Sequence, residues 1–224
     1  MPPLIDGGAI NAPGRGPRVK ALPVGRDTFR RLWRTEGLRV RARKAHKPRT
    51  APYLQRLVRA SAPGQVWAID FQFDSDWKGR VFKVCHVIDE FTRQHPAFRV
   101  EQRMGADDVI EMLDLAVLAH GAPQVLRANS GPEFIAAAVG RWASEHDTLQ
   151  AFIPPGQPWL GGFVESLHNR MRDELLEDNM FEDLGHARTL IAVWSRRCNE
   201  EHPHSGLGWL SPNQYARQWA QHHQ

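Results

Sequence analysis

The sequence contains only two cysteines, Cys85 and Cys198, among its 224 residues. So few cysteines exclude a disulfide-stabilised scaffold and fit a reducing compartment. There is also no run of about 18 uncharged apolar residues, so we expect no transmembrane helix and no membrane partner. The first residues, Met-Pro-Pro-Leu-Ile-Asp, lack the basic and apolar regions of a signal peptide. We therefore expect a cytoplasmic protein.

Charge is distributed unevenly along the chain. Residues 1–65 hold 15 Lys and Arg against 3 Asp and Glu, whereas residues 66–224 hold 14 against 22. A basic arm joined to an acidic body indicates contact with nucleic acid, although a solvated tail without a partner has the same composition. An acidic body suits DNA when its carboxylates hold metal ions, because the ions reverse the local field.

Composition divides the chain into three parts. Residues 1–23 are rich in Gly, Pro and Ala, and we expect them to be disordered. Residues 24–61 are expected to form a basic arm with one short helix from Asp27 to Glu36. The main domain is expected over residues 62–224. Five basic residues of the arm are candidates for sequence-independent contact with DNA phosphates: Arg39, Arg41, Arg43, Lys44 and Lys47.

Hydrophobic periodicity in the main domain predicts strands and helices in a definite order. Alternation and turn residues predict five strands, over 66–73, 81–88, 95–100, 124–127 and 149–153. Helical spacing predicts five helices, over 106–120, 131–146, 162–178, 184–200 and 212–221. Three strands in antiparallel order followed by alternating helices and strands favour an α/β domain, with a mixed five-stranded sheet flanked by helices.

Several short motifs occur in a fixed order along this domain. They are WAIDF at 67–71, IDEFTR at 88–93, GPEF at 131–134, FVES at 163–166 and RDELL at 172–176. In these motifs the sequence resembles the DDE transposases of bacterial insertion sequences that have a retroviral-integrase-like catalytic core. The resemblance covers about residues 27–220. It implies a ribonuclease-H-like fold, an N-terminal DNA-binding region of which residues 24–61 are a remnant, and DNA integration and recombination by phosphoryl transfer.

The resemblance also implies a site and its ligands. Asp70 would be the first metal ligand and Glu165 the third, holding Mg²⁺ or Mn²⁺ ions that clamp the attacking and leaving oxygens. Arg172 matches a basic position that contacts DNA, seven residues and two helical turns after Glu165. The expected partners are transposon-end and target DNA, bound by a homo-oligomer that is nucleoid-associated when on DNA.

The second catalytic position departs from the family pattern. Where the family has Asp-Asn-Gly-Pro-Glu-Phe, this chain has Asn129-Ser130 before GPEF, with 35 residues between Asn129 and Glu165. An amide at position 129 lowers the negative charge of the catalytic set of Asp70, Asn129 and Glu165 from three to two. We therefore expect weakly held metal and little or no strand transfer. Other departures, such as Leu160-Gly161 for Gln-Asn, suggest a truncated, degenerate copy.

Alternative interpretations remain open at this point. The chain could be an inactive DNA-binding protein that inhibits a related transposase, or an intact nuclease in which Asp74 or Asp89 replaces the missing ligand. Glu133 fits a helix-start acid better than a catalytic residue. Trp159 is the tryptophan best placed to meet DNA bases. A zinc site at Cys198, His202 and His204 is a weaker alternative, because the sequence offers no evident fourth ligand.

Overall fold

A computed structural model of the protein describes residues 59–153 and 161–223. The expected disorder at residues 1–23, the short helix, the five basic residues of the arm and Trp159 lie outside these ranges. The strands are β1 (Val66–Ser75), β2 (Val81–Asp89), β3 (Ala97–Glu101), β4 (Val125–Ala128) and β5 (Leu149–Phe152). The α-helices are α1 (Ala106–His120), α2 (Pro132–Ile135), α3 (Ala137–Glu145), α4 (Gly162–Met171), α5 (Leu184–Glu200) and α6 (Pro212–His222).

The five strands form one mixed sheet in the order β3-β2-β1-β4-β5. β1, β2 and β3 pair in antiparallel fashion, and β4 and β5 continue the sheet from β1 in parallel. The hairpin between β1 and β2 is closed by Asp76, whose carboxylate accepts hydrogen bonds from the N–H groups of Lys78 and Arg80 at 3.0 and 2.9 Å. Gly79 supplies the positive φ of 74° that this turn requires. The predicted mixed five-stranded sheet is confirmed.

The two faces of the sheet are covered by different helices. One core cluster contains Trp67 and Ile69 of β1 together with residues of α1, α2 and α3. The other contains Ala68 of β1 with residues of α4 and α5. Neighbouring residues of β1 therefore contact different sets of helices, because successive side chains point to opposite faces of the sheet. Within the described ranges, no helix is long and apolar enough to cross a membrane.

Three predicted boundaries are wrong, each for a local reason. The single helix over 131–146 is broken at Ala136, whose ψ of 137° is extended, and this break lets the ring of Phe134 stack on Phe71 at 4.8 Å. The helix over 162–178 is α-helical only to Met171 and continues as a π-helical turn, Arg172–Leu176. The third strand begins at Ala97, not at His95. The N–H and the carbonyl oxygen of His95 are hydrogen-bonded to the side-chain amide of Asn199 and not to a neighbouring strand.

The face of β1 that carries Asp70 is not a solvated sheet face. Gln72 is 2% exposed, and its Nε2 donates to the carbonyl oxygen of His168 in α4 at 3.0 Å. Phe73, expected on the apolar face with Ile69, is instead 55% exposed near the strand end. Helix α4 therefore packs across the polar residues of β1, and a buried amide side chain fixes its position.

Three histidines extend the polar interior beneath α4. His86 Nδ1 lies 3.1 Å from His95 Nε2, and the ring centroids of His86 and His168 lie 5.0 Å apart. His95 Nδ1 also lies 2.8 Å from the hydroxyl of Ser195 in α5. Burial lowers the pKa of His86 well below its usual range, that of His95 to about 3 and that of His168 to about 4. All three rings are therefore neutral at pH 7.

A buried ion pair lies nearby, between Glu90 and Arg127 of β4. A guanidinium nitrogen of Arg127 lies 2.6 Å from Glu90 Oε2, and the side chains are 8% and 2% exposed for Arg127 and Glu90. Burial raises the pKa of Glu90, and the charge of Arg127 opposes that rise. Two charges removed from water in this way stabilise the fold only while each keeps its partner.

Replacing one member of this pair tests its role. Arg127→Ala is expected to lower the free energy of unfolding by about 3–5 kcal/mol, because Glu90 is left buried without its partner. The double variant Glu90→Gln with Arg127→Met should recover most of this loss in urea unfolding experiments. A double variant no more stable than Arg127→Ala would contradict this account.

The buried histidines predict that stability falls in mild acid. The pKa of His95 is about 3 in the folded protein but about 6.5 in an unfolded chain. The unfolded chain therefore binds more protons below pH 6.5, so His95 alone should cost about 2 kcal/mol of stability between pH 7 and pH 5. His168→Asn should reduce this pH dependence in urea unfolding, whereas the matched change at exposed His120 should not. An equal pH dependence in both variants would contradict the prediction.

Candidate active site

Asp70 lies in the middle of β1, at the level where the parallel neighbouring strand β4 ends. β1 and β4 pair in parallel with Ile69 opposite Ala128. The residues that follow this pair, Asp70 and Asn129, are therefore neighbours. The carboxyl ends of adjacent parallel strands are where α/β sheets gather functional groups. The two residues of the sequence motifs are thus brought together by strand pairing alone.

The two side chains form a direct hydrogen bond. Asn129 Nδ2 donates to Asp70 Oδ1 at 2.6 Å, and Asn129 Oδ1 accepts from the N–H of Gly131 at 2.8 Å. A Cβ added to Gly131 would lie 2.9 Å from Asn129 Oδ1, so glycine keeps this loop closed on the amide. Both ends of the Asn129 amide are therefore occupied by protein groups.

Glu165 lies in the first turn of α4, as the sequence predicts, and its side chain is exposed. A Cβ on Gly161 would lie 3.7 Å from Glu165 Oε1, an ordinary contact, but only 3.3 Å from Ile153 Cδ1. Burial raises the pKa of Asp70, the negative charge of Glu165 adds to the rise, and the hydrogen bond from the N–H of Phe71 opposes it. Asp70, Asn129 and Glu165 thus belong to one electrostatic site.

The donor atoms of this site fit a pair of divalent ions poorly. The described residues contain no group of three or more His, Cys, Asp or Glu placed to hold a metal ion. Asn129 presents an N–H group to Asp70, and its carbonyl oxygen already accepts a hydrogen bond. A cation at this site would contact the carboxylates of Asp70 and Glu165 and the amide of Asn129. That amide would first have to rotate or break its hydrogen bonds to Asp70 and Gly131.

The two alternative carboxylates, Asp74 and Asp89, make their hydrogen bonds elsewhere. Asp74 is four residues further along β1, about 13 Å from Asp70 at the usual rise of a strand, and it accepts from the N–H of Ser75. Asp89 closes the turn after β2, where its two oxygens accept from the N–H groups of Gly64, Phe91 and Thr92. These contacts place neither carboxylate beside Asn129, and replacement of the second ligand by Asp74 or Asp89 stays an untested alternative.

Arg172 is exposed at the junction of α4 and the π-helical turn. Because α4 is regular up to Met171, Arg172 lies two turns beyond Glu165 on the same side of the helix. Its charge opposes the rise that burial causes in the pKa of Asp74. The position agrees with a DNA-contacting role, which stays a prediction.

The residues of the zinc alternative surround an arginine and a glutamate instead. Arg170 Nη1 lies 2.8 Å from His204 Nε2, and His202 Nδ1 lies 3.4 Å from Glu174 Oε1. Burial raises the pKa of Cys198, and the charge of Arg170 opposes that rise.

Glu133 stands in the first turn of α2 and pairs with Lys83 Nζ at 2.7 Å. Sequence reasoning missed this partner and the anchoring role of Gln72.

Two family models match the sequence, both described as an integrase core domain, over residues 60–158 and 146–212. The chain is 36% identical over 188 residues to the 31.7 kDa protein of insertion element IS407 from Burkholderia multivorans. It is 35% identical over 186 residues to the 39.2 kDa protein of insertion element IS476 from Xanthomonas euvesicatoria. These matches cover 83% of this chain, and 67% and 54% of the two relatives.

The fold is similar to that of a solved retroviral enzyme domain. The dimeric HTLV-2 integrase catalytic core, solved in complex with magnesium, superposes with a TM-score of 0.56 at 15% identity. The superposition covers 70% of this chain and 99% of that domain. At this identity the likeness establishes the ribonuclease-H-like fold alone. With the sequence matches, it means that the chain belongs to the family of insertion-sequence transposases with an integrase-like core.

Proposed function

We propose that this protein is a DNA-binding transposase core whose strand-cutting and strand-joining activity is weak or absent. The hydrogen bond from Asn129 Nδ2 to Asp70 Oδ1 at 2.6 Å carries this proposal. It places an uncharged hydrogen-bond donor beside the first catalytic carboxylate, where the family pattern has a second carboxylate. The shape of the site is kept while its charge is reduced.

Phosphoryl transfer by two metal ions depends on carboxylate oxygens. Mg²⁺ prefers hard oxygen ligands, and two ions about 3.5–4 Å apart need enough negative charge to offset their mutual repulsion. Here Asp70 and Glu165 supply two charges, and binding of a cation competes with the hydrogen bond from Asn129. We infer that Mg²⁺ or Mn²⁺ is held weakly, and we assign no catalytic step that passes through it.

DNA binding is proposed to depend on charges outside the metal site. Residues 1–65, which include the basic arm, carry a net charge of +12, which favours binding that is independent of sequence and sensitive to salt. Arg172 adds a positive charge two helical turns from Glu165. The partners are transposon-end and target DNA, which a homo-oligomer binds. In each copy the basic arm comprises residues 24–61 and the core comprises residues 62–224. Association with the nucleoid follows from DNA binding.

A second candidate function is inhibition of an active relative. The intact packing of the sheet and of α4 around an uncharged Asn129 favours this candidate, because such a chain can assemble and occupy DNA without reacting. Adding the protein to an active transposase of the same family should then reduce strand transfer as the ratio of the two rises. An Asn129→Asp variant should inhibit less, since it restores the missing carboxylate.

Restoring the carboxylate tests the first proposal directly. Asn129→Asp is expected to raise Mg²⁺- or Mn²⁺-dependent strand transfer on end-labelled transposon-end DNA at least tenfold, because it returns the third negative ligand. Gln221→Glu, the same amide-to-carboxylate change at an exposed position of α6, should leave activity at the starting level. Activity of the unaltered protein equal to that of Asn129→Asp would show that the amide does not impair it.

The same substitution should change stability in the opposite direction. Without metal at pH 7, Asn129→Asp is expected to lower the free energy of unfolding by about 1–3 kcal/mol, because it removes a hydrogen bond and faces Asp70 with a like charge. The added charge also raises the pKa of Asp70 further, so the loss should be smaller at pH 5 than at pH 7.

Mg²⁺ should stabilise the Asn129→Asp variant more than the unaltered protein in thermal unfolding, since a ligand stabilises the state that binds it. Gln221→Glu again serves as the control and should show no added response to Mg²⁺. An equal response of all three proteins would show that position 129 does not govern metal binding.

A further inference from the structure

A basic cavity of about 450 Å³ lies against α4 on a different side from Asp70. Its charged lining residues are the arginines Arg93 and Arg170, and none of its lining residues is acidic. The remaining lining residues are polar, small or apolar. These other lining residues are Ile88, Gly162, Phe163, Ser166, Leu167, His204, Ser205 and Gly206.

Arg93 is held in place by the turn that follows β2. Its φ of 62° is left-handed, and its N–H donates to the carbonyl oxygen of Asp89 at 2.9 Å. Its guanidinium carbon stands 3.6 Å from the ring centroid of Phe163 at the start of α4, and Nη1 donates to the carbonyl oxygen of Glu90. Stacking on an aromatic ring fixes the plane of the guanidinium and leaves its edge available for hydrogen bonds.

The two carboxylates closest to Arg93 in the sequence, those of Asp89 and Glu90, are hydrogen-bonded to other groups. Glu90 pairs with Arg127, and Asp89 accepts hydrogen bonds from three backbone N–H groups. Both still attract Arg93 electrostatically, which opposes the lowering of its pKa by burial. Arg93 remains a cation at pH 7, because arginine stays protonated in proteins.

Arg170 lines the cavity from the last turn of α4. Its Nη1 lies 2.8 Å from His204 Nε2, so the arginine donates and the imidazole accepts. Burial, followed by the charge of Arg170, lowers the pKa of His204 to about 4, which keeps this imidazole neutral and able to accept. Glu174 balances Arg170 only loosely, at 3.9 Å from its Nε.

We propose that this cavity binds a backbone phosphate of the DNA that lies across the active site. The proposal rests on the function proposed above and adds a second contact point for the same DNA. Two guanidinium groups and the hydroxyls of Ser166 and Ser205 supply the donors that phosphate oxygens require. The start of α4 adds its positive dipole end.

The location determines how this contact would act on the DNA. Ser166 lines the cavity and directly follows Glu165, and successive residues of a helix point about 100° apart. The cavity therefore faces a side of α4 that is turned by about 100° from the side that carries Glu165. A phosphate held there would fix the strand a few nucleotides from the reacting position, without reading its sequence.

Gly206 offers a test that leaves both arginines intact. It lines the cavity, its backbone lies outside the left-handed region, and a Cβ added there meets no atom within 4 Å. Gly206→Asp should weaken binding of the full chain to a short DNA duplex about fivefold or more, and lower the slope of log affinity against log salt by about 1. Gly206→Asn, which has the same shape without the charge, should bind as the unaltered protein does.

Removing the arginines gives a second measurement. Arg93→Gln with Arg170→Gln should lower DNA affinity and reduce the salt slope by about 1, whereas Arg141→Gln on α3 should change neither. All binding is measured in EDTA, so metal affinity does not enter. Thermal unfolding of each variant identifies loss of fold, and Gly206→Asp decides the result if the arginine variant is unstable.

The outcomes separate this proposal from the function on which it rests. Equal DNA binding by Gly206→Asp and Gly206→Asn, with salt-dependent binding intact, overturns the phosphate site and leaves the DNA-binding function standing. An unaltered protein that binds no DNA overturns both. Calorimetry with inorganic phosphate tells whether the cavity is a site for small anions and not for the DNA backbone. Tight phosphate binding abolished by Gly206→Asp, with unchanged DNA affinity, would also overturn the proposal.

Discussion

The parallel pairing of β1 with β4 is the constraint on which this site depends. It sets Ile69 opposite Ala128, so Asp70 within β1 and Asn129 directly after β4 lie side by side, although 58 residues separate them in the sequence. The pairing is itself protected by burial of both strands between helices on the two faces of the sheet. A change in this register by one residue would turn Asp70 to the opposite face, because side chains alternate along a strand.

The amide at position 129 shows how a site can lose charge without losing shape. Asn and Asp differ little in size, so the loop to Gly131 and the packing around it need no adjustment. The amide also converts a repulsive contact between two carboxylates into a hydrogen bond with Asp70. Stability and catalysis therefore place opposite demands on this position, since the like charges that metal ions need are costly without the ions.

Helix α4 connects the other parts of the proposed mechanism. Gln72 and the buried histidines fix the helix against the sheet, and Glu165 in its first turn faces the Asp70 site. Its other side carries Ser166 and Arg170 into the basic cavity. Because one rigid helix supports both places, a phosphate bound in the cavity and a strand at Asp70 would keep a constant separation. Polar contacts beneath α4 make that rigidity sensitive to protonation.

The sequence alone predicted the five strands and the order of the main helices, and its ordered motifs, through their family resemblance, indicated the candidate site positions Asp70, Asn129 and Glu165. These features follow from alternation, helical spacing, Gly and Pro positions and ordered motifs, all of which are local in the chain. Only the tertiary structure decided that Gln72 is buried, that Ala136 breaks a helix and that Asp74 and Asp89 stand apart from the site. It also brought Arg93 and Arg170 together across one cavity. These outcomes depend on how α4 packs across β1, and long-range packing leaves no period in the sequence.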